Sequence, residues 1–182
     1  MINILLVALL NSLITITSIN NISFTNQYDS SKETIIPAAY TSSFGEIKGL
    51  YRIDGITYGT PFVKELVSIH PTKGIIIGTK WYSDNGFQQH ILVKNSKFRK
   101  FKDPKKRIRR ALCNKHNDPS SLFIVESKIP MTMSEFAEYI QPYCWNAVNL
   151  DTGTWGYCKI QNKIRFWWMI FNKHKQTNWI VC

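Results

Sequence analysis

Between Pro130 and Asp151 the chain leaves its backbone few choices. Thr132 followed by Glu135 has the spacing of a capping box, so a helix should begin there. Met133, Phe136, Ala137 and Ile140 then recur at i, i+3, i+4 and i+7, one apolar helical face. Pro142 cannot continue that helix, because it has no amide proton and its ring collides with the preceding turn. Ala147 to Leu150 is short and mostly apolar, and Val148 and Leu150 share a face if it is extended. Asp151, Thr152 and Gly153 break the pattern as a turn. The predicted unit is helix, loop, buried strand and polar turn. It delivers Asn149 and Asp151 to the end of a strand, where a rigid element holds functional groups well. A plain helix-to-strand connection with a solvated turn accounts for the same residues.

Ahead of this unit, Ile36 to Val93 reads as β-rich. Gly49 to Ile53, then Asp54-Gly55, then Ile56 to Gly59 is strand, two-residue turn, strand, a strong hairpin signal. Leu66 to Ile69 and Ile75 to Ile77, joined through Pro71 to Gly74, form a second hairpin pattern. Asp84-Asn85-Gly86 reads as a further turn before a strand from Phe87 to Val93. Ser121 to Val125 is a strand candidate. So are Trp155 to Ile160, Ile164 to Phe171 and Trp179 to Cys182. The run Phe166 to Phe171 is too short to span a membrane and reads as a buried strand or a sugar-stacking platform.

The 182 residues suit one domain with a sizeable core, and 44% hydrophobic against 19% charged content excludes a disordered chain. The formal net charge of +11 favours an anionic partner: phosphate groups, nucleic acid, acidic glycans or an anionic membrane surface. Residues 1 to 18 form an apolar run of signal-peptide size ending in small residues, without a basic start, and predict export with cleavage after about Ser18. A retained anchor is the rival, for which Asn11, Ser12, Thr15 and Thr17 are poorly suited. The mature protein is expected to be secreted or periplasmic, with no transmembrane segment. Residues 19 to 36, polar and without period, read as a tether before a domain from 37 to 182. Cys113, Cys144, Cys158 and Cys182 would allow two disulfides in an exported chain, with three pairings. A Cys144–Cys158 bridge would pin the two sides of the Asp151 turn. Buried free thiols are the alternative.

From Lys94 to Arg110 the chain carries ten Lys and Arg against the single acid Asp103. This is a solvated loop or edge strand, where Lys guards against pairing, or a surface for phosphate or a polyanion such as nucleic acid. The aromatic interleaving of a single-strand nucleic-acid platform is missing. Arg109 and Arg110 abut Ala111-Leu112, so one of them can turn inward, where it needs an anionic partner such as Asp151 or a bound phosphate. The four histidines are scattered singly; His90, beside Gln88 and Gln89, is the one placed near a turn. No glycine-rich phosphate loop, nucleophile elbow or zinc-hydrolase helix occurs, and no cysteine pair has zinc spacing. No cofactor or metal is therefore expected.

Phe136-Ala137-Glu138 followed by Asn146-Ala147-Val148-Asn149-Leu150-Asp151-Thr152-Gly153 resembles the acidic helix and Asn-Ala-Leu-Asn-Leu-Asp-Gly-Gly motif of the phosphodiester glycosidase superfamily. Upstream, Lys48 to Gly55 resembles the family's Gly-Leu-Tyr hairpin, Val67 to Ile77 its following segment, and Arg109 to Leu112 its arginine-led strand. The family's Gln-Ser-Gly-Pro region corresponds to Gln88-Gln89-His90, its early Asn-Gly-Gly to Thr41 to Phe44, and its first turn glycine to Thr152. The resemblance implies an α+β domain, a curved and mainly antiparallel or mixed β-sheet flanked by helices. It also implies cleavage of a sugar-phosphate link, a chemistry that wants a carboxylate at the anomeric centre and cations on the phosphate. Asp151 is then the candidate catalytic carboxylate and Asn149 its orienting partner. Arg109, Arg110, Gly153, Gln89, His90 and Asn85 are the candidate substrate-binding residues. An inactive module of the same fold that binds an anionic glycan, phosphosugar or nucleic acid through the basic surface is the alternative.

Overall fold

The capping box forms as its spacing predicts. Thr132 Oγ1 accepts from the Glu135 amide at 3.1 Å, and Glu135 Oε2 accepts from the Thr132 amide at 2.7 Å. Helix α1 (Met133–Ile140) buries Met133, Phe136, Ala137 and Ile140, the face read from the sequence, and Pro142 falls in a closing 3-10 turn, Gln141–Tyr143. In this computed structural model, residues 13–19, 22–27, 29, 31–42, 44, 46–152, 159–160, 163–164 and 178–182 are described. They fall into two compact units. The first takes residues up to Ile19 with Ile91–Asn149, and the second Asn20–His90 with Leu150–Cys182.

The first unit is built on a six-stranded antiparallel sheet. Its order is β1 (Ile14–Ile19), β12 (Leu122–Ser127), β11 (Arg110–Asn114), β13 (Asn146–Asn149), β9 (Ile91–Lys94) and β10 (Lys97–Phe98). The helical face packs into one core with Leu92, Ala111, Phe123, Val125 and Ala147 of this sheet. Burying each large apolar side chain there contributes about 2 kcal/mol. β13 is central, so its residues are covered on both sides and its register shifts between Ala147 and Val148 where it meets β9. β10 is the short basic edge, turned back on β9 through Asn95 and Ser96, both at positive φ.

Across the β11–β12 ladder, Arg110 faces Glu126, and Arg110 Nη2 donates to Glu126 Oε1 at 3.0 Å. The arginine side chain is 1% exposed and the glutamate 11%. Removing one partner of such a pair strands a buried charge. Glu126→Ala should therefore cost about 3 kcal/mol in urea denaturation, and the double change Arg110→Met, Glu126→Leu should recover most of it. A single variant as stable as wild type would contradict this.

The second unit carries two five-stranded antiparallel sheets. One runs β15 (Lys163–Ile164), β14 (Lys159–Ile160), β3 (Ile35–Pro37), β16 (Trp179–Val181), β2 (Ser23–Thr25); the other β5 (Ile56–Tyr58), β4 (Tyr51–Ile53), β8 (Asn85–Phe87), β6 (Leu66–His70), β7 (Gly74–Gly78). Both predicted hairpins are present as β4–β5 and β6–β7, the first turning through Asp54 and Gly55 at φ 49° and 81°. Phe24 stacks on Phe87 at 5.2 Å and links the two sheets of this unit.

The expectation of a helix-flanked α+β sheet is corrected here. Among the described residues the fold is mostly β, three antiparallel sheets with one eight-residue helix. The physical reason is visible in the chain: helical periodicity occurs at Met133 to Ile140, whereas the other described apolar runs are short and bounded by turn residues. Strand β8 starts at Asn85, two residues before the strand predicted from Phe87, and the chain breaks at Gln88 to His90 before β9. Residues 19 to 36, expected as a tether, supply β2 and the start of β3, with Ile35 and Ile36 wholly buried. Ile14 to Ile19, inside the expected leader, pairs with β12 along its whole length. Among the described residues no helix is long and apolar enough to cross a membrane.

Candidate functional site

Beyond β3 the chain continues through Ala38 to Thr41, and two side chains hold that segment in place. Asn178, just ahead of β16 and fully buried, accepts from the Ala39 amide through Oδ1 at 2.6 Å. Its Nδ2 donates to the Ala39 carbonyl and to Thr41 Oγ1, each at 3.2 Å. One side-chain amide thus satisfies both backbone groups of Ala39, as a neighbouring strand would. Asp151 approaches the same segment: its amide donates to the Ala38 carbonyl at 3.0 Å, and its Oδ2 accepts from the Thr41 amide at 3.4 Å. The carboxylate is only 7% exposed.

Between those two anchor points sits Tyr40, whose ring lies 6.1 Å from Phe62 and 6.0 Å from His90; Phe62 and His90 are 5.2 Å apart, all three edge-to-face. Phe62 is itself positioned by Gln88. The buried Gln88 Oε1 accepts from the amides of Leu50 at 2.8 Å and Phe62 at 2.9 Å, and its Nε2 donates to the Val63 carbonyl at 2.6 Å. Gln89, fully buried, accepts from the His90 amide at 2.8 Å, while its Nε2 has no hydrogen-bond partner among the described residues. A buried carboxylate and an aromatic cluster therefore share one backbone segment of the second unit, Ala38 to Thr41.

Burial holds the His90 imidazole below its usual value of 6.5, so it is neutral at pH 7. The folded state then binds fewer protons than the unfolded chain, and stability is lost as pH falls through the unfolded value toward the folded one. Between pH 7.5 and 5, His90→Phe should flatten the decline of Tm relative to wild type; parallel curves would show that His90 contributes nothing to it.

The other sequence candidates lie elsewhere. Asn149 is buried on β13 opposite Ala111, at the end of the first unit. Arg110 is paired with Glu126, as described. Arg109 Nε donates to the Met131 carbonyl at 3.0 Å, its Nη2 to the Lys105 carbonyl at 2.6 Å, and Asp103 lies at 3.7 Å. Both arginines thus have partners within their own unit. Asn85 starts β8, with its Oδ1 accepting from the Asp54 amide at 3.3 Å. Gly153 lies outside the described residues, as does Cys158 and with it the Cys144–Cys158 bridge. Cys113 and Cys144 are buried free thiols; burial, with Cys144 beside it, pushes the Cys113 thiol well up. Among the described residues no three His, Cys, Asp or Glu side chains gather as metal ligands.

Sequence reasoning passed over Tyr40, Thr41, Phe62 and Asn178. The one local signal was Asn178, a polar residue abutting the apolar run Trp179 to Val181. Nothing near Tyr40 or Phe62 announces that they meet His90.

Among the described residues, three antiparallel sheets with a single short helix define the class of fold. No protein-family model and no curated protein matches the chain. Among solved structures, it is similar to the zebrafish N-acetylglucosamine-1-phosphodiester α-N-acetylglucosaminidase catalytic domain, auto-inhibited by its pro-peptide. That match has a TM-score of 0.59 at 11% identity, over 94% of this chain and 72% of that one. A hypothetical protein from Synechocystis is similar with a TM-score of 0.61 at 12% identity, over 92% of this chain and 58% of that one. These likenesses show a shared fold.

Proposed function

We propose that the protein is a phosphodiester glycosidase-like hydrolase acting on a sugar-1-phosphodiester. The observation that carries this reading is Asp151. It is a buried carboxylate held against the Thr41 amide, on the backbone segment that also presents Tyr40 to Phe62 and His90. In the reaction, the oxygen of water bonds to the anomeric carbon and the carbon–oxygen bond to phosphate breaks. The electron pair leaves on the phosphate, and the proton of water passes to solvent. The anomeric carbon becomes cationic on the way, and a fixed carboxylate stabilises it. The phosphate monoester departs as an anion without being protonated, so one carboxylate suffices where ordinary glycosides need two. Tyr40 and Phe62 supply an apolar wall for the sugar, neutral His90 adds a polar edge, and the Gln89 amide offers a donor.

The test is turnover. Purified protein should release free sugar from at least one member of a panel of hexose- and N-acetylhexosamine-1-phosphate diesters, but not from the matching methyl glycosides. Cleavage of methyl glycosides instead, or of nothing in the panel, would overturn the proposal.

A second reading rests on the surface of residues 94 to 110, where Lys97, Lys100, Lys102, Lys105, Lys106 and Arg107 are exposed. If no diester is cleaved and the protein binds polyanions with an affinity that falls steeply with salt, that surface carries the function.

A further inference from the structure

A cavity in the same unit shares no residue with the group around Asp151. It has a volume of about 580 Å³ and is lined by Arg52, His70, Trp81, Tyr82, Asp84 and Asn85, among others. That volume falls within the range of small-molecule sites, about 300–1,000 Å³.

Its walls are fixed before any ligand arrives. The Tyr82 amide donates to Ser68 Oγ at 2.9 Å, and Ser83 Oγ donates to the Asn85 carbonyl at 2.6 Å. The Gly55 amide donates to the Asp84 carbonyl at 3.0 Å, tying the β4–β5 turn to the same loop. The two aromatic rings lie over glycines: a Cβ at Gly86 would sit 2.7 Å from Trp81 Cζ3, and one at Gly78 2.5 Å from Tyr82 Cε2. Only the absence of side chains there lets the rings lie so close.

The polar groups, by contrast, are under-used. Arg52 reaches Asp84 only at 4.0 Å, too long for a hydrogen bond, and its buried Nε has no partner among the described residues. The Asp84 side chain is 79% exposed. A guanidinium and a carboxylate thus face one cavity without satisfying each other, beside a half-buried indole and an exposed phenol.

We infer that this cavity is a binding site for an uncharged pyranose sugar. The flat carbon–hydrogen face of a pyranose packs on aromatic rings. Its adjacent hydroxyls both donate and accept, so a single ring can bridge Arg52 and Asp84 in a way that neither a pure donor nor a pure acceptor can. The opposed charges of those two residues disfavour a free anion and leave a neutral polyol as the complementary ligand. The inference is independent of catalysis at Asp151, and its readout is binding rather than turnover.

The experiment is saturation-transfer NMR and calorimetry on the full chain, with a panel of neutral methyl pyranosides and their disaccharides, and inorganic phosphate as the anionic control. At least one sugar should bind saturably and with little dependence on salt. Asp84→Asn, at an exposed position that leaves folding alone, should weaken it about tenfold, the loss of a charge-assisted hydrogen bond. Trp81→Ala should weaken it at least as much, Trp81→Phe should restore part, and Lys106→Gln should change nothing. Failure of every sugar to bind, binding of phosphate alone, or wild-type affinity in Asp84→Asn would each overturn the assignment.

Discussion

A chain that starts at Ile19 is expected to lose most of the stability of one that starts at Leu13. Strand β1 pairs with β12 from Ile14 to Ile19, and the Leu13 carbonyl accepts from the Lys128 amide at 2.8 Å. Ile14 is 4% exposed and belongs to the same core as α1 and β11; Thr17 is 8% exposed. Losing one buried Ile and a ladder of several backbone hydrogen bonds removes about 5 kcal/mol, at roughly 2 for the side chain and 0.5–1.5 per bond. Domains of this size are stable by only about 5–15 kcal/mol, so the shorter chain should unfold near room temperature or aggregate through the bared edge of β12. Thermal melts of the two chains, made side by side, measure this. The result bears directly on export, for which the apolar start of the chain is the sole motive. A leader that ends after Ser18 and a strand that begins at Ile14 cannot both describe the mature protein. If the shorter chain melts like the longer one, β1 is dispensable and cleavage after Ser18 stands. If it collapses, any cleavage must fall before Leu13, and the first residue of exported material, read by N-terminal sequencing, should say so.

Asp151→Asn is expected to lower turnover of a sugar-1-phosphodiester about 10³-fold while leaving the fold in place. The amide keeps the size of the carboxylate and an oxygen for the Thr41 amide. What it removes is the negative charge that opposes the cationic anomeric centre, and deleting such a preorganised group costs catalysis by this order. Stability should change by about 1 kcal/mol or less, since a neutral hydrogen bond replaces a charged one. A purely structural carboxylate predicts the reverse: a fall of about 1.5–3 kcal/mol in stability as its charge-assisted hydrogen bonding is lost, with activity lost only in proportion to unfolding. Urea midpoints and initial rates from one preparation separate the two.

Much of the local architecture was legible because its causes are local. The Thr132–Glu135 capping box, the apolar face of α1, the stop at Pro142 and the Asp54-Gly55 hairpin all depend on residues within one or two turns of each other. The same holds for strand β13, which ends at Asn149. Resemblance then suggested helices around one sheet. The described structure instead has a single short helix, because periodicity supports no more than that among its described residues.

What the sequence could not decide are the meetings of distant residues. Asn178 fastens to Ala39 and Thr41 across a separation of 137 to 139 residues, and Asp151 reaches Thr41 across 110. Such pairings arise from strand order, in this case β16 beside β3, and no short-range pattern encodes strand order. The two arginines show the same division. Their place beside Ala111-Leu112 was enough to predict that one turns inward, and both are buried. Which anion meets Arg110 was settled by the antiparallel register of β11 on β12, which sets Glu126 opposite it. The chain alone thus specified its two hairpins β4–β5 and β6–β7, helix α1 and the kind of groups that must be neutralised. Only the folded sheets, by fixing which edges lie side by side, chose the partners.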